Sequence, residues 1–130
     1  MERLVYLVDS NVFLEGLLKQ QKANEVKSFF EKNTLDKLFI SDFSLHSIGI
    51  ILVSLNEKDI FKFFIKDMIM GGIRVLPINS EKILNVIDNS NRFNLDFDDA
   101  YQYTIAKTHN LKLVSFDKDF DKTDIKRLEL

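Results

Sequence analysis

Three aspartates stand where this sequence could do chemistry: Asp9, Asp99 and Asp117. Asp9 directly follows the apolar run Leu4-Val5-Tyr6-Leu7-Val8. Asp117 follows Leu113-Val114-Ser115-Phe116, which leaves a second apolar run the same way. Asp99 belongs to a trio with Asp96 and Asp98 at a helix start, where the helix dipole favours acids. Carboxylates gathered in one cleft repel and raise one another's pKa unless a cation intervenes. Mg²⁺ and Mn²⁺ are hard ions that prefer oxygen ligands, so they are the expected cofactors. Such an ion activates water and steadies the negative charge that builds on a phosphate during hydrolysis. Ser10, Asn11, Ser115 and Asp119 are placed to orient the carboxylates. Taken singly, each acid has a plainer reading: Asp9 a helix cap, Asp99 a helix-start charge, Asp117 a turn residue. Their joint placement favours a site.

The elements that must position them alternate. Strands are expected over 4–8, 38–40 and 73–76, with a last short one through Leu111, Leu113 and Val114. Helices are expected over 12–18, 23–32, 43 to about 55, 57–70, 81 to about 90, and from the 96–99 acids to Asn110. Ser41-Asp42 should cap the third helix and Ser80 the fifth, which points Ile83, Leu84 and Ile87 inward. The third helix is apolar nearly all round and should be buried, with His46 a core residue. In the last helix Ala100, Tyr103 and Ala106 make one apolar face, with Asp99 and Gln102 on its polar edge. Strands alternating with helices imply a parallel sheet covered on both faces. In such sheets sites form at the carboxyl ends of strands, which is where Asp9 and Asp117 fall.

Composition bounds the rest. The 130 residues, 45% hydrophobic and 29% charged, suit one globular domain over 1–130. Twelve Phe and no Trp give a Phe-rich core. The absence of Cys excludes disulfides and thiolate metal sites. The run Ile48 to Leu55 is too short to span a bilayer, and Met1-Glu2-Arg3 enters a strand at once, so a cytoplasmic protein without a signal peptide is expected. A net charge of -2 averages an acidic pocket with any basic surface and decides nothing about nucleic acid. Lys118, Lys122, Lys126 and Arg127 recur beside the expected cleft and could meet phosphates; a solvated tail explains them equally well.

In order and spacing these segments resemble the PIN-domain family across nearly the whole chain. Val8-Asp9-Ser10-Asn11-Val12-Phe13-Leu14 resembles its opening strand and first acid. Asp99-Ala100 with Ala106 resembles its third acid. Leu113-Val114-Ser115-Phe116-Asp117-Lys118-Asp119-Phe120 resembles its closing strand, hydroxyl residue and fourth acid. The resemblance implies a three-layer α/β/α fold with a mainly parallel sheet, and a Mg²⁺- or Mn²⁺-dependent ribonuclease acting through Asp9, Asp99 and Asp117. It also implies an antitoxin protein as partner, and a homodimer. One departure stands out. The family carries a Glu early in the helix after the second strand; here that position holds Ser47, and no Glu occurs between Glu31 and Glu57. The site would then hold its metal weakly or rely on Asp42 or His46. Two further readings stay open: a non-catalytic PIN-like module that binds RNA or protein, and a phospho-acceptor receiver domain. The second expects an acid pair after the first strand, and Ser10 follows Asp9 instead.

Overall fold

The computed structural model describes residues 4–130. The reading of Met1-Glu2-Arg3 as a strand entrance lies outside them. Four strands, β1 (Tyr6–Val8), β2 (Leu38–Ser41), β3 (Arg74–Leu76) and β4 (Lys112–Val114), form one parallel sheet in the order β3-β2-β1-β4. The chain steps from β1 outward through β2 to β3, then returns to the other side of β1 for β4. A crevice therefore opens between the carboxyl ends of β1 and β4, the topological switch point where α/β sheets bind ligands.

Strand pleat sorts the core onto two faces. Val8 pairs with Val114 in register, and both belong to one apolar cluster with Val12 and Phe13 of α1 (Ser10–Leu17), Val26 and Phe29 of α2 (Ala23–Lys32), and Ile48 and Leu52 of α3 (Asp42–Ser54). Leu7 pairs with Phe39 and Leu113, and these face Val86 of α5 (Ile83–Phe93) and the apolar residues of α6 (Phe97–His109). The three-layer α/β/α arrangement follows. Phe-rich packing is borne out by Phe13, whose ring stacks on Phe30 and meets Phe64 edge-on.

Local signals explain most helix ends. Asp9 is in extended conformation and accepts the Ser10 N–H at 2.8 Å, capping α1. The Ser41 hydroxyl accepts the Ser44 N–H at 2.9 Å and caps α3. Asn110 ends α6 in the left-handed region at φ 53.

Several expectations are corrected. The expected helix over 57–70 is α4 (Lys58–Phe63) running on into a π-helical turn, Phe64–Ile69, ended by Gly72 at φ 152. The α3 helix is not buried all round: Ile50 is 71% exposed and Val53 45%. Only one stripe of α3 meets the sheet, and His46 lies on the exposed side. α5 begins at Ile83, and the Asn79 side chain rather than Ser80 accepts the Lys82 N–H. Val86 is its inward residue, while Leu84 and Ile87 are exposed. By contrast α6 is buried from Asp99 through Ala106, not on one face alone, because α5 and the turn Lys118–Lys122 pack on it beside the sheet.

Candidate metal-binding carboxylate site

Asp9 sits at the switch point because the end of the β1–β4 ladder and the start of α1 hold it there. Its backbone N–H still donates to the Val114 carbonyl at 2.9 Å, and its carboxylate caps α1. Ser115, the first residue past β4, donates its hydroxyl to Asp9 Oδ2 at 2.7 Å. Gln102 donates Nε2 to Asp9 Oδ1 at 3.2 Å. Ser115 is fixed in turn. Its Oγ accepts from the Asp117 N–H at 3.0 Å and from Asn11 Nδ2 at 3.4 Å. Its N–H donates to Leu128 and its carbonyl accepts from Arg127 Nη1, each at 3.1 Å. Asn11 Oδ1 also accepts the Phe116 N–H. The Ser10 side chain makes no hydrogen bond among the described residues; Ser10 serves through its backbone.

The other two acids close on the same crevice. Asp117 accepts the Asp119 N–H at 2.9 Å, which sets the turn after β4. Carboxylate oxygens of Asp99, Asp117 and Asp119 lie within 4.8 Å of one another, as do those of Asp96, Asp98 and Asp99; Asp9 belongs to neither group and is linked to Asp99 and Asp117 through its charge. Burial raises the Asp9 pKa most, and the Asp117 charge adds to it; the bonds from Ser115, Ser10 and Gln102 oppose both. Asp99 is pushed up to about 8, first by burial, then by the charges of Asp117 and Asp98, by a bond to Asp117, and by Asp9. The three predicted acids therefore interact as one electrostatic unit.

Such a group is unfavourable without a compensating cation. The donors are all oxygen, which suits Mg²⁺ or Mn²⁺. The Gln102 Oε1 is the single side-chain polar atom, among the described residues, buried without a hydrogen-bond partner, and it belongs to the residue that holds Asp9. An aqua ion would bring the missing donors. The residues present fit the ion.

The remaining predicted residues differ in their surroundings. Ser47 is half-buried and makes no side-chain hydrogen bond among the described residues. Asp42 is occupied: its Oδ1 accepts the Phe43 N–H at 2.8 Å and the Tyr101 hydroxyl at 2.7 Å. It is in neither carboxylate group, and exposed His46 joins none. Lys118 is exposed beside Asp117. Lys122 donates to the Asn94 carbonyl at 3.2 Å and lies 3.7 Å from Asp119. Lys126 does not flank the site; it lines a hollow with Val5 and Lys112 at the opposite end of the sheet. The tail turns back after Thr123 and runs parallel to β4, bridging Val114 to Leu128, which carries Lys126 to the strand's start. Arg127 is not free for phosphate either. Its side chain is 7% exposed and pairs with Asp121 at 3.0 Å.

Sequence reasoning left two contributors unassigned. Gln102 lies one turn after Asp99, a spacing that puts both on one helix face, and that was the signal for it. Arg127 reaches Ser115 through a strand-like tail that no local pattern announces.

The PIN domain family matches residues 6–126. No curated protein matches the sequence. Among solved structures, the Mycobacterium tuberculosis toxin VapC20, described as sarcin-ricin loop cleaving, superposes with TM-score 0.80 at 12% identity, covering 95% of this chain and 98% of that one. FitAcB from Neisseria gonorrhoeae gives 0.77 at 18%, covering 95% and 96%. A toxin–antitoxin complex from Klebsiella pneumoniae gives 0.72 at 18%, covering 96% and 99%. These likenesses carry the fold, and the family match spans the whole sheet and all the acids of the site. This chain belongs to the PIN domain family.

Proposed function

We propose that this single-domain, cytoplasmic protein is a Mg²⁺- or Mn²⁺-dependent ribonuclease, the toxin of a toxin–antitoxin pair. The observation that carries the reading is the crowding of Asp9, Asp99 and Asp117 at the switch point, with Asp99 held up to about 8. A divalent ion bound there supplies charge neutralisation and activation of water at a phosphodiester. Asp9, braced by Ser115 and Gln102, fixes one side of the site. Asp99 and Asp117 close the other, and Asp119 is near enough to join them. Lys118 and Lys122 lie on the same side as the acids and would hold RNA phosphates without reading sequence.

The antitoxin reading is supported by the toxin–antitoxin neighbours and by an open cleft of about 820 Å³ away from the acids. It is walled by Phe13, Leu17, Val26, Phe30, Phe63 and Met68, which suits an apolar peptide face better than RNA. Exposed Ile50 and Val53 on α3 favour a homodimer, which sedimentation equilibrium would test. A second reading, a non-catalytic RNA- or protein-binding module, is favoured by Ser47 in place of the family's Glu. A Mn²⁺ titration with a cleavage assay on structured RNA separates the two. Asp9→Asn should keep the fold, since Asn also caps helices well, yet lose cleavage and most of the metal-induced melting shift. Metal-independent cleavage would overturn the metal dependence, and no cleavage by wild type at saturating Mn²⁺ would overturn the nuclease reading.

A further inference from the structure

The group on which the site converges, beyond the acids, is a neutral one. Gln102 is 2% exposed, on the turn of α6 that follows Asp99. Its amide has two ends with different fates. Nε2 donates to Asp9 Oδ1, and Oε1 has no partner among the described residues. The orientation of the amide is not arbitrary. Turned over, it would set Oε1 against a carboxylate oxygen and strand two N–H donors instead. Asp9 therefore fixes which end is left over, and the leftover acceptor sits one amide's width from the nitrogen that touches Asp9. Buried acceptors in folded proteins have a donor as a rule, so this one marks a place where a donor is absent from the chain itself.

The apolar reading of the position fails on the same facts. Its neighbours on α6, Tyr101, Tyr103 and Ile105, are buried too, and an aliphatic side chain would fill the place without an orphaned oxygen. We propose that Gln102 is a positioning residue of the site: Nε2 holds the Asp9 carboxylate while Oε1 accepts a hydrogen bond from the hydration water of a divalent cation. This rests on the reading of the acids as a metal centre. It also bears on the departure at Ser47. A chain short of one carboxylate can still orient the ion's water with an uncharged oxygen, at lower affinity than a charge would give.

The test compares wild type, Gln102→Leu and Gln102→Glu by Mn²⁺ calorimetry, by water-proton relaxation of the Mn²⁺-loaded protein, and by melting without metal. Gln102→Leu should bind Mn²⁺ about tenfold more weakly and alter the relaxation enhancement, while its metal-free melting temperature holds or rises. A merely structural Gln102 would do the reverse, lowering the metal-free melting temperature and leaving affinity alone. Gln102→Glu keeps the acceptor and adds a charge. It should bind Mn²⁺ at least tenfold more tightly and melt lower without metal. Should Gln102→Leu fail to fold, the Glu variant decides alone: affinity equal to or below wild type overturns the proposal. If wild type and both variants bind Mn²⁺ alike, Gln102 does not serve the ion, though the metal centre stands. If wild type binds no Mn²⁺, the metal-centre reading falls and this proposal with it.

Discussion

At the residue scale, Asp99 is the most sharply testable group. Its folded pKa of about 8 lies far above the roughly 3.9 of a free Asp, so between those values the folded chain keeps a proton that the unfolded chain has released. The stability it contributes is fully present below the unfolded value and declines as pH rises toward about 8. Asparagine does not titrate. With divalent ions chelated, Asp99→Asn should gain on wild type as pH rises from 5 to 8, read from melting temperatures at each pH. A gap that stays constant would mean Asp99 ionises normally. The same proton must leave when a cation binds, so Mn²⁺ affinity of the wild type should rise over that range. The three acids were legible in the sequence because each follows an apolar run or opens a helix. Asp119 was legible as a neighbour, but its approach to Asp99 depends on the turn geometry set by the Asp117 carboxylate. Gln102 was legible as sharing a helix edge with Asp99, but not as a buried residue that holds Asp9, since a polar residue on a helix edge is ordinarily solvated.

At the element scale, what the sequence hid was how far each helix is covered. The apolar α3 and the mixed α6 read as buried and half-exposed, and they are nearly the reverse. Burial of α6 comes from α5 and the turn Lys118–Lys122, which are remote in sequence, whereas periodicity reports only a helix's own composition. The caps at Asp9, Ser41 and Asn110 were readable because their chemistry is local; the false cap at Ser80 shows that a capping residue type does not by itself start a helix. The tail is the least readable element. It stacks beside β4 through Leu128, and Arg127 ties Ser115 to Asp121 and Glu129. Arg127→Met keeps the stem but removes a charged donor from a carbonyl, a change on the order of 1.5–3 kcal/mol. Urea unfolding should show a lower midpoint at unchanged slope. Since Ser115 holds Asp9, Mn²⁺ affinity should fall as well; full affinity in this variant would uncouple the tail from the site. On α3, Ser47→Glu should tighten Mn²⁺ binding and raise any RNA cleavage, because a carboxylate adds charge where a hydroxyl cannot. Unchanged affinity would place Ser47 away from the ion.

At the scale of the whole molecule, the parallel sheet gives the protein two chemically different ends. The β3-β2-β1-β4 order gathers the acids at the carboxyl end between β1 and β4. Lys126, Lys112 and His109 collect around the hollow at the other end. In sequence Lys118, Lys122 and Lys126 form one evenly spaced series, and only the reversal of the tail after Thr123 separates them. On the proposed ribonuclease reading, RNA drawn to the acids would meet Lys118 and Lys122 but not, in the same pose, Lys126. Lys122 would first have to exchange Asn94 and Asp119 for a phosphate. Each phosphate contact with a single strand contributes about 0.7 to the slope of log affinity against log salt. In an Asp9→Asn background that prevents cleavage, Lys118→Ala with Lys122→Ala should weaken RNA binding and flatten that slope by about 1.4, two contacts at that value. Lys126→Ala should leave the slope unchanged. Filter-binding or fluorescence titrations across a salt series measure both. Should Lys126→Ala flatten the slope while the double variant does not, the RNA lies across the amino end of the sheet, and the acids are not where it is cut.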